Sequence, residues 1–236
     1  MTLPLSIIIP TYNEETYLPK LLRSIRKQTC QPYEIIVADA KSQDKTRKIA
    51  REFGCKVIEG GKIAKARNNG ARLASQELLL FLDADVILPN NFLCTTSNEI
   101  KKFNLDIASC YSKPLSSFWI DKIIFFFLNL YLKVISKWRF STPGYCIFIK
   151  KVLHNKINGF DESIVLGEDM EYSRRAMRYG RYGMLYSQKI PVSVRRFEEN
   201  GRMKSAFDQI RMSIYIAILG SIRDERLFKY PFGNHK

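Results

Sequence analysis

Between Leu5 and Tyr111 the chain switches repeatedly between two hydrophobic periods, and few architectures accept that alternation. "LSIIIP" (Leu5–Pro10) is short, β-branched and closed by a proline, the pattern of a buried strand. "TYLPKLLRSIRKQ" (Thr16–Gln28) instead spaces Leu18, Leu21, Leu22 and Ile25 by three and four, which puts them on one helical face. The exchange then repeats. Strands are expected at Tyr33–Asp39, Lys56–Glu59, Leu78–Asp83 and Asp106–Tyr111, and helices at Lys45–Phe53, Ile63–Ser75 and Asn91–Phe103. Strands that are apolar throughout and separated by helices predict an α/β fold, with a mostly parallel central sheet flanked by helices on both faces. A chain of 236 residues, 46% of them hydrophobic, suits one domain of this kind with a C-terminal part added. Such sheets bind ligands beyond the carboxyl ends of their strands. Thr11–Glu14, Asp39, and Asp83 with Asp85 stand just past those ends, so three separate segments are expected on one rim.

The second half is less regular. Ser117–Trp138 is rich in apolar and aromatic residues, but its longest uncharged run, Ile123–Leu132, falls short of the roughly 20 residues that span a bilayer. It reads either as a buried helix or as a helix lying in a membrane interface, with Trp119, Trp138 and nearby lysines at its edges. Met212–Ile222 is also too short to span. The formal net charge of +15 favours anionic partners, yet the basic residues are scattered and form no tail, so nucleic acid is not expected among them. Five cysteines, an odd count without C-x-x-C spacing, predict reduced thiols and argue against a zinc ribbon. The start, "MTLPLSIIIPTYNEE", lacks the basic region of a signal peptide, so a cytoplasmic location is expected. The tail "YPFGNHK" is expected to be disordered. Of the two histidines, His235 sits in that tail and His154 reads as a surface residue on a short basic helix. A Ser-His-Asp triad would have to use His154, and a His-rich zinc site cannot be built.

The chemistry-bearing stretches follow from this frame. In "LLLFLDADVILP" (Leu78–Pro89) two carboxylates, Asp83 and Asp85, interrupt an apolar run. Such groups need cationic compensation, and hard divalent ions take carboxylate oxygens while leaving positions open for phosphate. Helix capping by Asp83 and a turn role for Asp85 are the plainer alternative. "PTYNEE" and "ADAKSQDKT" follow the first two strands; Asp39 there can accept a base N–H and Tyr12 can stack on the base, while Asn13, Ser42 and Asp44 are also good cap residues. No glycine precedes Gly54, which excludes a glycine-rich dinucleotide loop and a Walker loop after the first strand. Arg67 and Asn68 in "KARNNGA" suit ribose or phosphate, or a solvated helix face. In "LGEDMEYSRRAMRYG", Glu168 and Asp169 lead into a helix, where carboxylates either complement its dipole or supply a general base. Arg195, Arg196 and Arg202 in "VRRFEENGR" suit a diphosphate, or solvent.

Taken in order, "SIIIPTYNEE", "IIVADAKSQDKT", "KARNNGARLASQELLLFLDADV" and "GEDMEYSRRAMRYG" resemble the family 2 glycosyltransferases with the GT-A fold, from Leu5 to about Gly180. The resemblance implies an inverting transferase that uses a nucleotide-diphospho-sugar donor and a divalent metal, Mn²⁺ or Mg²⁺. It assigns Pro10, Thr11, Tyr12, Glu14, Asp39, Arg67 and Asp83 to the nucleotide, Asp85 to the metal, and Asp169, with Glu168 beside it, to the catalytic base. Arg195 and Arg196 are assigned to the diphosphate. The usual D-D-G-S-x-D after the second strand is here Asp39-Ala40-Lys41-Ser42-Gln43-Asp44, and the Q-x-x-R-W signature of processive synthases is absent, so transfer of a single sugar is implied. Residues 1–110 then form the donor half, 111–204 the acceptor and base half, and 205–236 an amphipathic helix and tail. The acceptor class is expected to be a glycan or a lipid-linked molecule; Ser117–Trp138 and the basic surplus point to the latter, met by peripheral contact at the cytoplasmic face of a membrane. The rivals are a nucleotidyltransferase and a non-catalytic sugar-nucleotide or membrane-surface binding protein of the same fold.

Overall fold

The computed structural model describes residues 2–138 and 143–224. Trp138's side chain, His235 and the tail "YPFGNHK", on which expectations were placed, lie outside what the structure describes. Seven strands form one sheet in the order β3-β2-β1-β4-β6-β5-β7. They are β1 (Thr2–Thr11), β2 (Gln31–Asp39), β3 (Lys56–Glu59), β4 (Leu78–Leu82), β5 (Ile107–Pro114), β6 (Cys146–Lys150) and β7 (Tyr182–Val192). β1 runs parallel to both β2 and β4, β2 to β3, and β5 to β7. Only β6 is reversed, pairing antiparallel with β4 and β5. The expected sheet is therefore present, with one inverted strand that the irregular second half did not disclose.

Ile7, Ile8 and Ile9 explain why β1 is central. All three are fully buried, although consecutive strand residues face opposite sides. Ile7 and Ile9 join Leu18, Leu21, Leu22 and Ile25 of α1 (Leu18–Arg26), with Phe92 and Leu93 of α4 (Phe92–Lys102). Ile8 faces the other side, among Ala64 and Ala71 of α3 (Ile63–Leu73) and Tyr172 of α7 (Glu168–Ala176). The α3 backbone comes so near that a β-carbon at Gly70 would stand 2.3 Å from Ile8 Cγ2. α2 (Thr46–Glu52) connects β2 to β3. From β3 the chain recrosses to β4 on the far side of β1. The crevice between the ends of β1 and β4 is thus the switch point where a doubly wound sheet takes its ligand.

α5 (Trp119–Trp138) packs against β5, and Asn129 ties the two by donating to Ser112 O (2.8 Å) and accepting from Ser112 N (3.1 Å). It buries Asp121, Phe125 and Leu132 but leaves most of its described apolar side chains exposed, so a wholly buried helix does not describe it. No helix of the described residues is long and apolar enough to cross a membrane. His154, on α6 (Lys151–Lys156), is buried rather than on the surface. Its ring Nδ1 lies 2.7 Å from the Tyr172 hydroxyl, and burial, helped by Arg175 and Lys151, pushes it down to about 4.

The cysteines also depart from expectation. Cys30 and Cys94 form a disulfide (Cα–Cα 5.4 Å) between the α1–β2 loop and α4, while Cys55, Cys110 and Cys146 are free and buried. A separation of 64 residues hid the pairing; α1 and α4 meet only because they cover the same sheet face. Reduction is expected to cost up to about 4 kcal/mol, from loop-closure entropy regained by the unfolded chain. Urea melts with and without reductant check this, and coincident midpoints would mean that the link adds no stability.

Candidate active site

The first two strands end in loops that are sewn together. Asn13, with left-handed φ of 54°, donates its backbone N–H to Ser42 Oγ (2.9 Å) and accepts from Gln43 N at its side-chain oxygen (2.9 Å). Glu14 N donates to Thr46 Oγ1 (2.7 Å), and Glu15 N to Asp44 Oδ2 (3.0 Å). The expected cap residues are chiefly loop-to-loop links, though Asp44 also receives Thr46 N (2.9 Å). Asp39 ends β2 with its carboxylate inward. It accepts from Thr11 Oγ1 (2.9 Å), Ser42 N (2.9 Å) and Ser42 Oγ (2.6 Å). Beside it lies an open cleft of ≈ 290 Å³ lined by Asp39, Lys41, Ser42, Gln43, Arg47 and Glu59.

Beyond β4 the chain is held from both sides. Asp83 N donates to Tyr145 O (3.2 Å), and Asp85 O accepts from Ser193 N (3.0 Å) past the end of β7. Arg195, on α8 (Arg195–Asn200), reaches back across 181 positions and grips Glu14 with both terminal nitrogens (2.8 and 2.7 Å). Its Nε lies 3.2 Å from Asp85 Oδ2, and its guanidinium stacks 4.7 Å from the Tyr17 ring centroid. Burial opposes the arginine's charge, but Glu14 and Asp85 hold it above the ordinary arginine value; burial raises Glu14 in turn. Arg196, by contrast, is exposed, and its charge is felt at Asp83. Among the described residues no three His, Cys, Asp or Glu side chains enclose an ion. Asp85 does present hard oxygen donors, and Mg²⁺-type sites commonly rest on one or two carboxylates with substrate phosphate completing the shell.

The fourth element is α7. Gly167, at φ 82°, turns the chain so that Glu168 and Asp169 open the helix facing α3. Arg67 of α3 is 1% exposed and binds three separate segments. Its Nη1 donates to Glu168 Oε1 (2.9 Å), and its Nη2 to Asp83 Oδ1 (3.1 Å) and Gly144 O (2.9 Å). Asp169 is in the same group. A β-carbon at Gly144 would stand 2.9 Å from Asp169 Oδ2 and 3.2 Å from Arg67 Nη2, so only glycine lets that strand entrance approach. Burial and the Glu168 charge push Asp169 up to about 7 against the pull of Arg67. Burial likewise brings Asp83 up to about 6, although a third of its side chain is open.

The rim therefore gathers Thr11 and Glu14 from β1's loop, Asp39 from β2, Asp83 and Asp85 from β4, Arg195 from α8, and Glu168 with Asp169 from α7. Pro10 and Tyr12 are partly exposed beside them. Arg67 contacts acidic side chains and backbone, and Arg195 is committed to Glu14 and Asp85; neither stands free toward an open cleft. Gly144, Tyr17 and Tyr145 had no sequence signal, because each matters through an approach made only in the folded chain.

A family model described as glycosyl transferase family 2 matches residues 6–157, more than half of the chain. The dolichyl N-acetyl-alpha-D-glucosaminyl phosphate 3-beta-D-2,3-diacetamido-2,3-dideoxy-beta-D-glucuronosyltransferase of Methanococcus voltae is 28% identical over 212 residues, covering 75% of this chain and 62% of that protein. The structure of S. aureus TarS residues 1–349 with UDP-GlcNAc superposes with TM-score 0.66 at 22% identity, over 80% of this chain and 58% of that one. The mannosyltransferase PcManGT from Pyrobaculum calidifontis, with GDP-Man and Mn²⁺, gives TM-score 0.64 at 21% identity, over 78% and 55%. At those identities the two structures share the fold. The chain spans less than two thirds of the length of the curated relatives it matches.

Proposed function

This chain belongs to glycosyl transferase family 2, and on that premise we propose that it is an inverting enzyme moving one sugar from a UDP- or GDP-linked donor to an acceptor hydroxyl. The observation that carries the reading is the Arg67 fork. It joins the carboxylates beyond β4 to those opening α7, so Asp83 and Glu168, distant along the chain, share one buried group. In-line displacement needs a base on one side of the anomeric carbon and a leaving-group site on the other.

Asp169 is the proposed base. It takes the acceptor hydroxyl proton as that oxygen bonds to the anomeric carbon; the bond from that carbon to the diphosphate breaks, and the nucleoside diphosphate leaves with the electron pair. Glu168 stays paired with Arg67 and orients the helix start. Asp39, Thr11, Tyr12, Pro10 and Glu14 form the proposed nucleotide side, and the cleft beside Asp39 suits a base. Asp85 would hold a divalent ion, as PcManGT's Mn²⁺ suggests, and that ion supplies Lewis acidity toward a diphosphate. Arg196 adds positive charge on that side, while Arg195 sets Asp85's position from Glu14. The donor half, residues 1–110, ends inside β5, and the third part begins inside α9 (Arg202–Leu219), so these are divisions of labour within one sheet-based domain. A lipid-linked acceptor is favoured by the Methanococcus relative's name.

A panel of sugar nucleotides with Mn²⁺ tests this by following released nucleoside diphosphate. One donor is expected to be consumed. Asp85→Asn should lower that turnover at least about 100-fold and shift the Mn²⁺ requirement upward. Release of nothing from any donor, with ordinary nucleotide binding, would favour a binding protein; release of pyrophosphate from a sugar phosphate and NTP would favour a nucleotidyltransferase.

A further inference from the structure

The face that α5 turns outward is apolar where a helix in water should be polar. Trp119, Ile123, Phe126, Phe127, Leu130 and Val134 are each 45% to 64% exposed and recur at helical spacing. The remaining exposed positions between Trp119 and Val134 are Tyr131, Lys122 and Lys133. The stripe extends over about 22 Å, at 1.5 Å rise per residue. Its opposite side is fixed to the protein. Asp121 is fully buried and accepts Arg202 Nε (2.9 Å), Phe125 meets the Phe197 ring edge-on, and Asn129 is bound to β5. The face is therefore held rigidly outward. A continuous apolar patch of this kind, half of it aromatic, marks a contact surface.

We propose that this face docks in the headgroup region of an anionic lipid bilayer, with α5 lying in the membrane plane. Charge decides the occupant. The only charged residues at exposed positions along the stripe are the lysines, and the chain carries +15 overall. A second copy would press like charges together, whereas anionic headgroups complement them while the rings enter the acyl boundary. Phe197, packed on the inner side of α5, belongs to α8, which also carries Arg195, the partner of Asp85 and Glu14. Docking would thus hold the transfer site beside the bilayer. The docking stands without the transferase reading; only the acceptor class it adds, a lipid-linked hydroxyl presented from that bilayer, rests on it.

Flotation of the full chain with vesicles tests the docking without donor or metal. One vesicle set is phosphatidylcholine alone and the other contains about a third phosphatidylglycerol. Recovery with the anionic set is expected at moderate salt, with recovery from the neutral set weak. Phe126→Ser/Phe127→Ser should lower partitioning about 100-fold, roughly tenfold for each ring withdrawn. That variant should keep the thermal midpoint, since both rings lie outside the core. Three results would each overturn the proposal: no flotation with either set, unchanged flotation of the double variant, or a concentration-dependent dimer in sedimentation that the double variant abolishes. Failed flotation with intact donor turnover would leave the transferase reading untouched.

Discussion

Asp169→Asn is expected to reduce sugar transfer by about 10²- to 10⁴-fold while leaving donor binding near the wild-type level. The amide keeps the shape of the carboxylate and can still accept from Met170 N, as Asp169 Oδ1 does at 2.8 Å, but it cannot take up the acceptor proton. Because burial and Glu168 push Asp169 up to about 7, the wild-type rate should rise as pH passes through that value and level off above it. Below it the rate should fall about tenfold per pH unit, since the protonated acid is no base. The Asn variant's residual rate should lack this step. Stability has the opposite sign. An acid whose folded value is raised favours the folded state below its unfolded value near 4, and that advantage is lost as pH rises through about 7. Asp169→Asn should therefore become more stable relative to wild type between pH 5 and 8. A variant with wild-type turnover, or a wild-type rate flat across pH 7, would remove Asp169 from the role.

What could be read from the sequence, and what could not, divides by distance along the chain. The three consecutive isoleucines of β1 and the leucines ahead of Asp83 fix strands locally, because burial on two faces demands apolar residues at every position. Their order then fixes the rim on which Thr11, Asp39 and Asp83 stand. The absence of glycine before Gly54 excluded a glycine-rich loop after β1, and the loops there are tied to each other by Asn13, Ser42 and Thr46. "CIFIK" of β6 is too short to show its direction, and its antiparallel pairing with β4 is decided by register with Leu78–Leu82. His154 sits in a basic hexapeptide, and only the arrival of Tyr172 and Phe160 from later in the chain buries it. The Cys30–Cys94 link and the grip of Arg195 on Glu14 have the same character. Each joins residues whose own neighbours in sequence suggest a different role.

Arg67 carries the second large effect. Arg67→Met is expected to cost about 3–5 kcal/mol at pH 8, because it leaves Glu168 and Asp169 as buried charges, and the partly open Asp83, without their cation. The methionine fills the volume, so the loss reads the charge rather than a cavity. At pH 5 the loss should shrink: Asp169, held at about 7, and Asp83, at about 6, are then mostly protonated in the wild type. The same substitution removes the group that pulls Asp169 downward, so the midpoint of the pH–rate curve should move above 7. Arg67→Lys keeps one charge but cannot reach Glu168 Oε1, Asp83 Oδ1 and Gly144 O together, and should fall between the two. Urea melts at both pH values, read beside the rate profile, separate a packing role from an electrostatic one. Equal losses at pH 5 and pH 8 with an unmoved rate midpoint would mean that Arg67 merely fills space. The cluster would then have to be stabilised by something other than its one buried guanidinium, and the link between the β4 carboxylates and the proposed base would lose its physical basis.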